Sequence, residues 1–200
     1  CNIVICKSML LHITLLHSIM FLEIIMSIRD ISFSGGDFMR FIGRAFELRE
    51  LEEEYEKGTF ALSVIYGRRR VGKTYLIKEF LKRKKGYYFV ALESNALINL
   101  SLLSQAIYEA CGNLKGLPDF QDFEAALRYL FAYAEEHRIV FVIDEYPYLA
   151  QSAEHISSLL QKLIDEYREK SKLFLILCGS SMSFMENQVL GYKSPLYGRR

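Results

Sequence analysis

Four short runs of continuously apolar residues alternate with segments of helical spacing, and this alternation limits the fold more than any other feature. The runs are "TFALSVIYG", "YYFVAL", "RIVFVIDE" and "KLFLILCGSS". Apolar residues at successive positions, rich in β-formers, suit a strand buried on both faces. Between them, "GRAFELRELEEEYEKG" sets Leu48, Leu51 and Tyr55 on one helical face, with glutamates opposite. "KTYLIKEFLKRKK" repeats the pattern through Leu76, Ile77, Phe80 and Leu81, with Gly86 as its expected stop. Further helices are expected near Leu100–Cys111, at Asp122–His137 and along the stripe Ile156, Leu159, Leu160, Leu163, Ile164 and Tyr167. Strands and helices in alternation predict an α/β domain with a parallel sheet.

The chain has 200 residues, 51% apolar and 24% charged, enough to bury one substantial core. A formal net charge of +1 excludes a general polycation, so any basic surface must be local. Cys1, Cys6, Cys111 and Cys178 form no C-x-x-C pair and no disulfide framework, which fits a reducing, cytoplasmic compartment. Residues 1–38 stand apart. "MLLHITLLHSIMFLEIIM" approaches the roughly 20 apolar residues of a membrane helix, but His12, His17 and Glu23 interrupt it. It also lacks a signal-peptide cleavage site. The favoured expectation places the domain at 39–200 with its natural start at Met39; an N-terminal anchor is the alternative, and no firm membrane partner follows.

One turn carries the chemistry. "GRRRVGKT", from Gly67 to Thr74, lies between the first apolar run and a helical segment. Gly67 and Gly72 allow the backbone to turn so that successive N–H groups point inward at an anion. The positive end of the following helix adds to that field. Lys73 is expected at the β- and γ-phosphates of ATP, and the Thr74 hydroxyl on Mg²⁺. The loop as a whole, Gly67, Arg68, Arg69, Arg70, Val71, Gly72, Lys73 and Thr74, with Tyr75 after it, is the candidate nucleotide site. The arginines, joined by Lys78, Lys82, Arg83, Lys84 and Lys85, leave two readings open. One is a nucleic-acid surface; the favoured one is a solvated helix face and a loop that attracts a polyanion.

The other pieces of a nucleotide site lie at later strand ends. Asp144 closes "IVFVID", where a carboxylate holds Mg²⁺ through its water shell, and Glu145 can orient or deprotonate an attacking water. Ser180, with Ser181 as its understudy, follows "LFLILCG" and can bond that water or the γ-phosphate. Cys178, inside the apolar run, reads as core.

Together "FIGR…EL…L", "VIYGRRRVGKT", "VFVIDEYPYL", "LILCGSSMSFME" and "SPLYGRR" resemble the archaeal-type ATPases, AAA+-like P-loop proteins often placed among the STAND signalling NTPases. The resemblance runs from about Phe41 to Arg200. It implies a three-layer P-loop fold of the additional-strand type. Counted from the strand before the loop, its sheet order is 5-1-4-3-2. It sets Ile42, Gly43 and Arg44 near the adenine. It places "LYGRR" at an arginine finger, so that Arg199 or Arg200 stabilises γ-phosphate charge, in trans if the protein forms a homo-oligomer. It further implies that the fifth strand, the lid and a C-terminal domain, through which nucleic acid would be a partner, lie beyond Arg200. The first strand is then expected to present an open edge.

Three functions follow from these residues. The main one is Mg-dependent ATP hydrolysis that drives a conformational change. The second is a slow nucleotide switch whose output lies elsewhere. A small-molecule kinase is disfavoured, because "DEYPYL" offers a water-activating glutamate and no acceptor pocket or arginine-rich lid is recognisable.

Overall fold

Each of the four apolar runs becomes a strand of one sheet. The computed structural model describes residues 4–6, 44–113 and 117–199. Its strands are β1 (Val4–Cys6), β2 (Ala61–Tyr66), β3 (Gly86–Val90), β4 (Ile139–Asp144) and β5 (Leu173–Gly179), ordered β1-β2-β5-β4-β3. β2, β5, β4 and β3 are parallel. β5 separates the strand before the loop from the strand ending in Asp144, which is the additional-strand arrangement. Register sets their carboxyl ends level, with Tyr66 beside Gly179 and Val90 beside Asp144.

The helices are α1 (Ala45–Glu56), α2 (Lys73–Leu81), α3 (Ala96–Ala110), α4 (Phe123–Glu136), α5 (Tyr146–Ser152) and α6 (Ile156–Tyr167). A short helical turn at Met182–Phe184 runs into a π-helical turn at Met185–Val189. Two boundaries differ from the pattern, each for a local reason. α3 starts before Leu100 because the Asn95 side chain accepts a hydrogen bond from Ile98 N, a capping contact that fixes the first turn. Gly86 opens β3 rather than stopping α2. A Cβ there would come within 2.5 Å of Leu81 Cδ2 and 3.2 Å of Val140 Cβ, so any larger residue would have to displace the Leu81 side chain and press on β4. α5 falls where no helix is expected.

Alternate strand residues serve two cores, which makes the fold three-layered. Ile65, Val140, Val142, Phe174, Ile176 and Cys178 pack with Leu51 of α1 and Leu76, Ile77 and Phe80 of α2. Val64, Phe141, Ile143, Leu175 and Leu177 face the other way, onto α3 to α6. Phe80 meets Phe174 edge-on at 5.7 Å and Tyr55 at 6.0 Å, locking α1 and α2 onto the sheet. Cys178 is fully buried as expected, and burial pushes its thiol pKa up, so it stays protonated.

The open edge expected at β2 is not found. β1 pairs with it antiparallel, Val4 beside Tyr66 and Cys6 beside Val64. Three residues of the 1–38 segment therefore join the sheet at the strand that leads into the phosphate loop, ahead of the expected boundary at 39. They satisfy the ladder groups an edge would leave unpaired. Met9–Met26 and Met39 lie outside the described residues. Among those described, no helix is long and apolar enough to cross a membrane.

Candidate nucleotide site

The carboxyl ends of β2, β4 and β5 bring the loop, the acid pair and Ser180 to one edge of the sheet. After Tyr66 the chain turns through Gly67–Gly72 and enters α2 at Lys73. The turn takes positive φ at three points: Gly67 at 155°, Arg70 at 65° and Gly72 at 88°, with ψ 20° at Gly72. Gly72 adopts this region freely, whereas a side-chain-bearing residue there costs about 1 kcal/mol or more. That strain at Arg70 sits in the turn whose N–H groups would face phosphates.

Lys73 is buried, and its ammonium folds back to donate to the carbonyls of Gly67 (2.8 Å) and Arg68 (3.2 Å). Arg44 braces the loop from behind. Its Nη2 donates to the Val71 carbonyl, and a Cβ built at Gly72 would lie 3.7 Å from its Nε. Arg44 Nη1 is buried there with no hydrogen-bond partner. Arg44 thus lies against the loop itself, while Gly43 lies outside the described residues. Arg70, Gly72, Lys73, Thr74, Tyr75 and Lys78 line a cavity of 410 Å³.

Asp144, mostly buried, is held at both oxygens. Glu145 N donates to Oδ1 at 2.9 Å, and the Tyr88 hydroxyl donates to Oδ2. Tyr88 comes from β3, and its hydroxyl also lies 3.4 Å from Thr74 Oγ1. Burial and the Asp144 carboxylate push the Tyr88 pKa well up, so the phenol keeps its proton. Thr74 and Asp144 therefore converge on one hydroxyl-sized position. That convergence of a hydroxyl and a carboxylate, beside a buried ammonium, fits Mg²⁺ and a polyphosphate. Among the described residues no larger cluster of metal-binding side chains exists. A cation that keeps most of its waters needs none.

Glu145 has φ 51° and ψ 42°, a left-handed conformation that begins α5 and turns its side chain to the tip of β5. Its Oε2 accepts from the Ser180 hydroxyl at 3.0 Å and from Ser180 N at 3.3 Å. Ser180 thus holds the glutamate. Arg68, Arg69, Glu145, Tyr148, Ser180 and Ser181 share a second cavity of 440 Å³, with Arg69 Nη2 donating to the Tyr148 hydroxyl at 3.0 Å.

Arg199 does not join this site. It lies at the opposite end of the sheet, where it lines a cavity with Thr59, Phe60 and Ala61 at the start of β2. Its Nε and Nη2 grip Asp165 at 2.8 and 2.7 Å. Arg200 lies outside the described residues. The basic run after the loop is partly spent internally: Lys82 pairs with Glu79, and Lys84 pairs with Glu52 at 2.7 Å. Lys85 bonds the Tyr133 hydroxyl. Tyr88 was not legible as a site residue, because an aromatic in a strand reads as core. Its signal was the alternation of strand faces, which sets Tyr88 on the side opposite to Tyr87 and on the same face as Val90.

Comparison with known proteins identifies the family and agrees with the fold. Residues 41–200 match a family described as an ATPase domain predominantly from Archaea. An uncharacterized protein of Methanocaldococcus jannaschii is 34% identical over 160 residues, 80% of this chain and 34% of its own length. An ATP-binding protein of the same organism is 51% identical over 45 residues, 22% of this chain and 76% of that one. The Walker-type ATPase of Pyrococcus abyssi superposes with a TM-score of 0.54 at 24% identity, over 79% of this chain and 51% of its own. The Aeropyrum pernix Orc1 protein, solved in complex with DNA, gives 0.50 at 24% identity, over 77% of this chain and 43% of its own. The chain thus spans about a third of the relative that covers most of it, and about half or less of these solved structures.

Proposed function

The chain belongs to this family of ATPase domains predominantly from Archaea, and from that premise we propose that it binds Mg·ATP at the Gly67–Thr74 loop and hydrolyses it to drive a conformational change. One observation carries the reading: Lys73, Thr74, Asp144, Glu145 and Ser180 stand at one edge of the sheet, Thr74 and Asp144 meeting at the Tyr88 hydroxyl and Ser180 holding Glu145. Lys73, released from the carbonyls of Gly67 and Arg68, meets the β- and γ-phosphates with the N–H groups that open α2. Thr74 and Asp144 would hold Mg²⁺, which shields phosphate charge when bound. Glu145 orients a water and takes its proton, with Ser180 beside it. Arg44 keeps Val71 and Gly72 in place. Lys73→Ala should weaken ATP binding by about a hundredfold or more, since it removes a charged donor from a phosphate site. Unchanged affinity by calorimetry would end the assignment.

A second reading, a slow-hydrolysing switch, has its own support. Glu145 is held on Ser180 by two donors, so its carboxylate is not a free base in this arrangement. Single-turnover hydrolysis separates the two: a burst faster than nucleotide release supports the working ATPase, and chemistry slower than release supports the switch. A trans finger at Arg199 requires a second copy, and its grip on Asp165 would first have to open. The paired lysines leave less free charge for nucleic acid than the sequence offers, which favours a nucleotide as the partner of the loop. A cytoplasmic setting accords with the two free, buried cysteines.

A further inference from the structure

The Tyr88 hydroxyl lies between the two groups assigned to the metal. Its single proton goes to Asp144 Oδ2, which leaves its oxygen lone pairs toward Thr74 Oγ1 at 3.4 Å. Asp144 Oδ1 is already taken by Glu145 N. Each carboxylate oxygen therefore already accepts a hydrogen bond, and a phenol oxygen lies between the two ligands. The Tyr88 ring packs against the core formed with α1 and α2, and its backbone is fixed by pairing beside Val142. With the backbone fixed, side-chain rotation is what moves the hydroxyl of this partly buried ring.

We propose that Tyr88 is a positioning residue that stands in for the metal: its hydroxyl bridges Thr74 and Asp144 and must yield Thr74 before a divalent cation binds. A cation alone would exchange one satisfied arrangement for another and gain little. A cation arriving with nucleotide brings phosphate oxygens as further ligands, and that surplus displaces the phenol. Tyr88 thereby couples metal entry to nucleotide entry. This rests on the reading of Thr74 and Asp144 as metal ligands.

The test is Tyr88→Phe in the full-length protein, which keeps the ring and removes the hydroxyl, with Tyr87→Phe as the control. Tyr87 is the neighbour on the other face, bonded to Glu109, and burial beside that carboxylate pushes its pKa up to about 12. Mn²⁺ binding is followed by electron paramagnetic resonance with and without ADP, and ADP affinity by calorimetry in EDTA. Loss of a donor to a buried carboxylate should tighten Mn²⁺ binding without nucleotide by about tenfold in Tyr88→Phe. ADP affinity in EDTA should stay at the wild-type value, and Tyr87→Phe should match wild type throughout. Equal or weaker Mn²⁺ binding in Tyr88→Phe would overturn the proposal. Weakened binding of both metal and metal-free ADP would show a purely structural role and overturn it as well. A wild type whose ADP binding ignores Mn²⁺ would overturn the metal-ligand reading together with it.

Discussion

The two ends of the sheet carry similar side chains and use them in opposite ways. At the amino ends, the Arg138 guanidinium donates to the carbonyls of Thr59, Lys172, Tyr55 and Glu54 at 2.6, 2.8, 2.7 and 3.4 Å. It also lies 4.7 Å from the Tyr55 ring centre and 5.9 Å from that of Phe174. Arg199 grips Asp165 with two parallel bonds. These cations are spent on holding α1, α6 and the sheet together. At the carboxyl ends, Lys73 rests on two neutral carbonyls of its own loop and Arg69 on one phenol. A polyphosphate offers charged acceptors that outcompete such partners. Arg138 has four acceptors and two rings around it, Lys73 two acceptors and Arg69 one, and that difference sets how readily each cation can be drawn to another partner.

The comparison can be broken at either end. The largest effect is expected from Arg138→Ala, which strips four carbonyls of a donor and uncovers two rings. It should cost about 3 kcal/mol of stability, read by urea denaturation, with ATP affinity unchanged below the melting point. A loss of ATP affinity without a loss of stability would reverse the assignment of the two ends.

Ser180→Ala tests the carboxyl end without touching a phosphate donor. It removes one of the two donors on Glu145 and should slow turnover by about tenfold, near the 1.4 kcal/mol of one hydrogen bond to a charge. ATP affinity should hold. A matching fall in affinity would place Ser180 on the phosphate instead.

A third test concerns β1. Deleting the residues through Cys6 exposes the β2 edge and should lower stability by about 1–2 kcal/mol, through a few ladder bonds. It should also promote self-association, seen by light scattering. No change in either would mean that the pairing at Val4–Cys6 contributes nothing.

The smallest effect belongs to Arg199→Ala. Asp165 is half exposed, so its ion pair is worth only about 0.2–1 kcal/mol. Arg199 holds the Asp165 carboxyl below its ordinary pKa, so the stabilisation is present at neutral pH. It fades as pH falls through that lowered value. The stability gap between wild type and variant should therefore be constant from pH 7 to 5, close below about pH 4, and shrink in high salt. A large fall in turnover at unchanged stability would restore Arg199 as a finger in trans.

The parallel sheet and the loop were legible because both write themselves locally. An apolar run at every position marks β2, β4 and β5, and glycine is needed at Gly72 for the turn itself. The acid pair was legible from its place at a strand end. Less local features were not. α5 is only seven residues long, although Pro147 in its first turn was a signal for it. β1 is three residues in a segment that reads as an appendage, and only pairing with β2 makes it a strand. The place of Arg199 depends on how the chain returns to α6, which no motif encodes. Tyr88 belongs to the site only because register sets it beside Val142, one turn of the pleat from Asp144.

The proposed function assigns nucleotide binding and hydrolysis to different groups at one sheet edge, and Glu145→Gln separates the two. The substitution keeps the side chain's shape and removes its ability to take a proton. Mg·ATP affinity by calorimetry and single-turnover hydrolysis should be measured on the same preparation of the full-length protein. The account predicts affinity within about threefold of wild type, since binding rests on Lys73 and Thr74, and hydrolysis slower by about a hundredfold or more. Hydrolysis at the wild-type rate, or a loss of affinity as large as the loss of turnover, would contradict it.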